Sequence, residues 1–153
     1  MKQFLTLLLF SLLTFSCNNS KKETYSAFDK KIEANRHPGK KLMEINCNIC
    51  HSATASEENR LAPPMIAVKM RYINEGTTKK AFINDLKAWI ENPNIEDAKM
   101  YGAVKRFGIM PKQIIPEESL EKIGEYIFDY NIAQPDWFEE HYKKTNKMSK
   151  NHE

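Results

Sequence analysis

The chain has 153 residues, of which 41% are hydrophobic and 28% are charged. This length and composition predict one globular domain with a single core and short terminal segments, and they exclude a disordered chain or a protein with many membrane spans. The 23 Lys and Arg against 20 Asp and Glu give a net charge of +3, which is too weak a bias to indicate nucleic-acid binding.

The N-terminal residues 1–16 have the pattern of a signal peptide. Lys2 supplies a positive start, and residues 4–15 form an apolar run interrupted only by hydroxyl side chains. The run is shorter than the ~20 residues that a membrane-spanning helix needs, so a permanent span is the less favoured alternative. We therefore expect an exported protein on the periplasmic side of a membrane.

Residues 13–17, Leu-Thr-Phe-Ser-Cys, resemble the processing box of bacterial lipoproteins. The resemblance implies cleavage before Cys17 and lipidation of Cys17, which anchors the mature protein in a membrane. The alternatives are cleavage to a soluble periplasmic protein and retention of the leader as an anchor. The polar, Lys-rich residues 17–35 are predicted to form a tether, in which Phe28 and Ile32 have the spacing of a short helix.

A Cys-x-x-Cys-His motif at residues 47–51 is the main chemical signal of the sequence. Two thiols one helical turn apart can bond to the two vinyl groups of a haem, and the histidine that follows then ligates the iron. The motif therefore predicts one covalently bound haem c, held by Cys47 and Cys50, with His51 as an axial iron ligand. With Cys17 assigned to lipid, no thiol remains for a structural disulfide.

Two other types of site use a similar cysteine pair. A structural zinc site needs further ligands at short spacing, which the sequence does not offer, since the other histidines are His37, His141 and His152. A thioredoxin-like thiol pair follows a β-strand, and no strand is predicted here. Haem attachment is the better interpretation of the motif.

The segments after the motif predict helices and no sheet. Apolar residues spaced three or four apart predict a helix over residues 79–91, which Asn92-Pro93 ends. The same spacing predicts a final helix that begins at Pro116, and a short helix is expected around residues 96–106. With a first helix before the motif, the prediction is an all-α fold of three main helices and one short helix.

From about residue 36 to 132, the sequence resembles the class I cytochromes c. Gly39, Leu42 and Met43 stand where that family has a glycine and an apolar or aromatic pair on its first helix, and Tyr126 and Ile127 match the pair on its last helix. The resemblance implies a cytochrome c-like fold over residues 36–133, with three to four helices wrapped around one covalently attached haem. Residues 134–153 are predicted to form a charged tail, whose aromatic side chains could pack back on the domain.

The same resemblance implies roles for residues outside the motif. Pro63 lies in a segment similar to the family loop whose proline carbonyl accepts a hydrogen bond from the haem-ligating histidine, although a simple Pro-rich turn is the alternative. Trp89 matches a tryptophan along the haem edge that can bond a propionate, although a buried core indole is equally consistent. Met110, which precedes Pro111, matches the distal iron ligand. Met100 is the nearest competitor, and a bis-histidine or open site remains the other alternative.

We therefore expect an electron-transfer protein of a respiratory or other exported redox chain, and no enzyme. Its iron ligands are predicted to be His51 and Met110. The alternatives are a haem-based gas sensor or haem enzyme with a labile sixth ligand, and a fixed electron-entry subunit of a larger oxidoreductase. Expected partners are redox proteins such as membrane oxidoreductases or a terminal oxidase. Two groups of basic residues could form a docking face for such a partner or be ordinary solvated surface. These groups are Arg36, Lys40 and Lys41, and Lys69, Arg71, Lys79 and Lys80.

Overall fold

The computed structural model describes residues 20–150, without the side chains of residues 20–25, 28 and 146–150. The predicted signal peptide and the predicted lipidation site, Cys17, lie outside the described residues. The described part of the chain is all-helical, which confirms the all-α prediction. Its seven helices are α1 (Ser20–Arg36), α2 (Pro38–Asn46), α3 (Met65–Tyr72), α4 (Lys79–Glu91), α5 (Tyr101–Phe107), α6 (Glu117–Asp129) and α7 (Phe138–Lys150).

The number of helices exceeds the three or four that were predicted. Helix α1 occupies most of the predicted tether, and its sequence is rich in Lys, Glu and Ala, which are good helix formers. Helix α3 follows the predicted Pro-rich turn, and α7 occupies the predicted charged tail. The described residues divide into two compact units, the first ending at Glu33 and the second beginning at Ala34. None of the described helices is both long enough and apolar enough to cross a membrane.

The core of the second unit is built around α6. This helix packs on both α2 and α4, and its buried residues recur three or four positions apart: Leu120, Ile123, Gly124, Tyr126 and Ile127. Helix α4 contributes Phe82, which is fully buried, together with Leu86 and Ile90. Burial of these side chains supplies the main driving force for folding of this unit.

Helices α2 and α6 cross at a glycine. The imidazole Nδ1 of His37 caps α2 by accepting a hydrogen bond from the backbone N–H of Gly39 at 3.1 Å. A Cβ atom at Gly39 would lie 1.8 Å from the carbonyl oxygen of Lys122 on α6 and 2.8 Å from the Cβ of Tyr126. The absence of a side chain at Gly39 therefore permits the close crossing of the two helices.

Substitution of Gly39 by alanine is therefore expected to lower the free energy of unfolding by about 3 kcal/mol, because the new methyl group meets backbone atoms that cannot rotate away. Gly102 on α5 is the matched control, since a Cβ there meets nothing within 4 Å. Gly102→Ala should leave stability unchanged or raise it by up to about 1 kcal/mol. Urea unfolding of the three proteins is the measurement, and equal stabilities for Gly39→Ala and the unmutated chain would contradict the crossing argument.

Candidate functional site

A cavity of about 260 Å³ lies beside the Cys-x-x-Cys-His motif. Its walls come from the motif itself, the loop that follows, helices α3 and α4, and the segment from Met100 to Ile115. Every residue that the sequence predicted to bind haem lines this one cavity: Cys47, Cys50, His51, Pro63, Trp89 and Met110. Folding thus brings together side chains from four separate segments of the chain.

The motif continues the last turn of α2. Cys47 caps this helix, and its backbone N–H donates to the carbonyl of Met43 at 2.8 Å. The backbone N–H of His51 then donates to the carbonyl of Cys47 at 2.9 Å, and that of Cys50 donates to the same carbonyl at 3.2 Å. These bonds form one tight turn, so both thiols and the imidazole face the same cavity.

The two thiols differ in exposure. Cys50 is exposed and Cys47 is half-buried, and neither forms a disulfide. Burial raises the pKa of the Cys47 thiol to about 11, because the thiolate would lose its hydration. Cys47 is therefore a neutral thiol at physiological pH in the chain as described.

His51 is oriented by a hydrogen bond to the loop. Its Nδ1 lies 2.6 Å from the carbonyl oxygen of Pro63, which can only accept, so Nδ1 carries the proton and donates. The structure thus contains the hydrogen bond that the family resemblance implied. Burial lowers the pKa of His51, although the Pro63 bond opposes this shift. The ring is neutral, and the lone pair of Nε2 is available to a metal ion.

The loop leads directly into α3, which sequence analysis did not predict. Pro64 precedes the helix, and Met65, Val68 and Tyr72 are buried along one side of it. All three line the cavity. Their spacing of three and four residues after a proline is typical of a helix. The segment is only eight residues long, however, and its other side chains do not form a clear polar face opposite the buried one.

The segment around α5 contributes two thioethers to the lining of the cavity. Met100 precedes α5, and Met110 follows it after Gly108, whose φ of +81° favours glycine at the end of the helix. Both methionines are half-buried, line the cavity and pack against the core. Helix α5 itself covers Tyr101–Phe107, so it begins later than the predicted helix around residues 96–106. The cavity therefore contains the predicted iron ligand, Met110, and also the alternative ligand, Met100.

Trp89 lies on α4 between the core and the cavity. Its neighbours Leu86 and Ile90 are buried in the core, whereas Trp89 is half-buried and lines the cavity. Trp89 thus lines the cavity together with Leu86 and Ile90, and it is less buried than either of them.

The donor set fits a haem better than a bare metal ion. The cavity has two thiols, one imidazole and thioether groups in walls that are otherwise mainly apolar. Among residues 20–150, no group of three or more His, Cys, Asp and Glu side chains comes together to hold a metal ion. A structural zinc ion takes four such ligands, whereas a haem supplies four nitrogens itself and needs only axial ligands and apolar walls.

Comparison of the chain with models of protein families, with curated proteins and with solved structures found no match.

Proposed function

We propose that this protein is a class I c-type cytochrome that carries electrons through one haem c. The observation that supports the proposal is the convergence of all six predicted haem-binding residues on one cavity. The motif and the resemblance alone predict these residues, and they come from the turn after α2, the following loop, α4 and the segment after α5. A set chosen in error would be scattered over the surface and the core.

The residues of the cavity have separate tasks in this proposal. Cys47 and Cys50 would hold the haem through thioether bonds, and His51 and Met110 would bind its iron. The bound haem supplies an iron that alternates between the ferrous and ferric states. The Pro63 carbonyl keeps the imidazole of His51 in one tautomer and orientation, and the apolar walls limit the access of water.

The titratable groups of the cavity favour electron carriage over catalysis. Within the described part of the chain, no Asp or Glu lines the cavity. Burial, assisted by the charge of Asp85, raises the pKa of Tyr72 to about 12, so this phenol stays protonated at neutral pH. Lys99 is paired with Asp85 and lies 5.0 Å from the centre of the Tyr72 ring. No acid–base pair therefore faces the cavity, and such a pair is what peroxide or nitrogen-oxide chemistry requires.

Absorption spectra of the purified protein in both redox states test this proposal. We expect a covalent haem that is reduced and reoxidised reversibly, a weak far-red sulfur-to-iron band in the oxidised protein, and no binding of carbon monoxide to the reduced protein, because both axial positions are filled. Protein without covalent haem would contradict the proposal. Tight binding of carbon monoxide would favour the gas sensor or haem enzyme instead.

The mouth of the cavity is the proposed site of electron exchange. Ile49, Leu61 and Ile109 line the cavity although they are 75%, 69% and 47% exposed. Residues 98–116 contain four exposed basic residues and no acidic residue: Lys99, Lys105, Arg106 and Lys112. Lys99 is paired with Asp85, but the other three basic side chains form no ion pair to a carboxylate of the described residues. An apolar centre beside this positive charge suits a redox protein with an acidic docking face.

Two of the basic residues identified in the sequence, Lys69 and Lys79, are less suited to binding a partner. The ammonium group of Lys69 donates to the carbonyl of Tyr130 at 2.6 Å, and that of Lys79 pairs with Asp129 at 2.6 Å. Both therefore serve contacts within the domain. Among the described residues, Lys105 and Lys112 have no ion pair, so their charge is available to a partner.

The proposal includes export and a lipid anchor at Cys17. Its support is the leader pattern of residues 1–16 and the processing box that follows. An anchored carrier stays beside its partners, which on this proposal are membrane oxidoreductases or a terminal oxidase. A fixed electron-entry subunit uses the same site and anchor, and co-purification of a partner complex from detergent-solubilised membranes would favour that alternative.

A further inference from the structure

A buried arginine joins three distant segments next to the cavity. The side chain of Arg60, in the loop after the motif, is only 8% exposed. Its guanidinium carbon lies 4.5 Å from the centre of the Trp137 ring and 5.6 Å from the centre of the Phe107 ring. Trp137 precedes α7, and Phe107 is the last residue of α5. The Arg60 guanidinium therefore lies within cation–π distance of two aromatic rings, one from the end of α5 and one from the segment before α7.

The segment around Trp137 also forms hydrogen bonds with the loop that follows the motif. The indole Nε1 of Trp137 donates to the carbonyl of Ala55 at 2.8 Å. The Nδ1 of His141 lies 2.7 Å from a carboxylate oxygen of Glu57, and Phe138 is buried with 5% exposure. Residues 135–145, here called the strap, are thus held against the loop that connects His51 to Pro63.

The loop is also bonded to α5, which precedes the distal segment. Arg106 donates to the carbonyl of Glu57 at 3.0 Å, and Arg60 donates to the same carbonyl. Phe107 lines the cavity, and the backbone N–H of Gly108 closes the helix on the carbonyl of Val104 at 2.9 Å. Met110 follows two residues later, so Phe107 and the Met110 thioether lie on one short segment that lines the cavity.

We propose that the strap positions Met110 through Arg60 and Phe107, which makes Trp137 and Arg60 positioning residues for the sixth iron ligand. The inference rests on the proposed function for its ligand. The Nε of Arg60 is buried and has no hydrogen-bond partner within the described structure, so the guanidinium depends on the two rings, on the Glu57 carbonyl and on a Glu57 carboxylate oxygen 4.0 Å away. Without the Trp137 ring, the guanidinium turns toward water, Phe107 keeps only the Arg106 guanidinium over its ring, and the segment that carries Met110 is displaced more often from the iron.

Carbon monoxide binding to the reduced, haem-loaded protein tests this inference. Trp137→Ala is expected to bind carbon monoxide at least about tenfold faster, because the fraction of molecules with an open sixth position rises. The far-red band should weaken in parallel, and haem attachment should persist because the motif is unchanged. Trp137→Phe should restore nearly unmutated behaviour, since it loses only the bond to Ala55 and keeps a ring over Arg60.

Lys143→Ala is the matched control on α7. Lys143 pairs with Glu139 on the exposed side of the helix and has no contact with the loop, so its removal should change neither carbon monoxide binding nor the far-red band. Haem-loaded Trp137→Ala protein that binds carbon monoxide at the unmutated rate overturns the proposal. If this variant yields no haem-loaded protein, Arg60→Lys is measured instead, because lysine keeps the charge but loses the planar contact with both rings. Faster carbon monoxide binding by Arg60→Lys supports the proposal. An unchanged rate overturns it.

Hydrogen exchange gives a readout that does not depend on the ligand assignment. Amides of residues 104–110 should exchange faster in Trp137→Ala than in the unmutated protein, and those of α6 should not. Failure of the proposed function shows as absence of covalent haem from the unmutated chain. Failure of the strap shows as unchanged exchange over residues 104–110 in the folded protein as purified, even if that folded protein carries no haem.

Discussion

Replacement of Cys47 or Cys50 by alanine is expected to remove or weaken covalent haem attachment and to leave the apo chain largely unfolded. Each thiol supplies one of the two proposed thioether bonds. The cavity of about 260 Å³ is lined by core residues such as Met65 and Leu86, so loss of the cofactor leaves a void inside the main core. At about 24 cal/mol per Å³, such a void costs up to about 6 kcal/mol, which is comparable with the whole stability of a small domain.

Haem staining after denaturing electrophoresis measures attachment, and far-ultraviolet circular dichroism measures helix content. Cys17→Ser is the matched control, because it removes the third cysteine outside the domain and should retain both haem and fold. Staining of the Cys47→Ala and Cys50→Ala variants at the unmutated intensity would contradict the assignment of these thiols. A fully helical apo protein would show instead that the core does not depend on the haem.

Replacement of Met110 by alanine is expected to open the iron while the haem stays attached. The reduced variant should bind carbon monoxide, the oxidised variant should bind cyanide, and the far-red band should disappear. A soft thioether favours the ferrous state, so its loss should lower the reduction potential by on the order of 100 mV, within the ~0.8 V range over which axial ligands act. Redox titration with optical detection is the measurement.

Met100→Ala is the control for this prediction, and it is a demanding one. Both methionines are half-buried and line the same cavity. In the chain, Met100 comes directly before α5 and Met110 comes shortly after it. The loss of packing is therefore similar in the two variants, and only the loss of the ligand differs. If Met100→Ala opened the iron and Met110→Ala did not, the assignment of the sixth ligand would be wrong.

Local sequence patterns were sufficient for the main helices. The predicted helix over residues 79–91 coincides with α4, Lys79–Glu91, because its apolar residues repeat with helical spacing and a proline follows. The last main helix, predicted from Pro116, is α6, Glu117–Asp129. These elements carry their own start, period and end signals in consecutive residues, so no tertiary information was needed to identify them.

Short or highly charged helices were not identified in the same way. Helix α3 has eight residues, and α7 has two glutamates followed by four lysines, a charged composition that resembles a solvated tail. Helix α7 is preceded by Trp137 and begins at Phe138, which is buried against the rest of the unit. That anchoring involves a loop 82 residues earlier in the chain, and local periodicity contains no information about such a contact.

The amino-acid sequence by itself determined which side chains form the candidate site, because the spacing of Cys47, Cys50 and His51 is a property of one helical turn. It also identified Pro63, Trp89 and Met110 through a family resemblance. Only the tertiary structure decided that these residues line one cavity, that Met100 lines the same cavity, and that Arg60 contacts the rings of Phe107 and Trp137. The physical reason is that helical periodicity is set by neighbours along the chain, whereas the meeting of distant segments is set by how their buried faces pack.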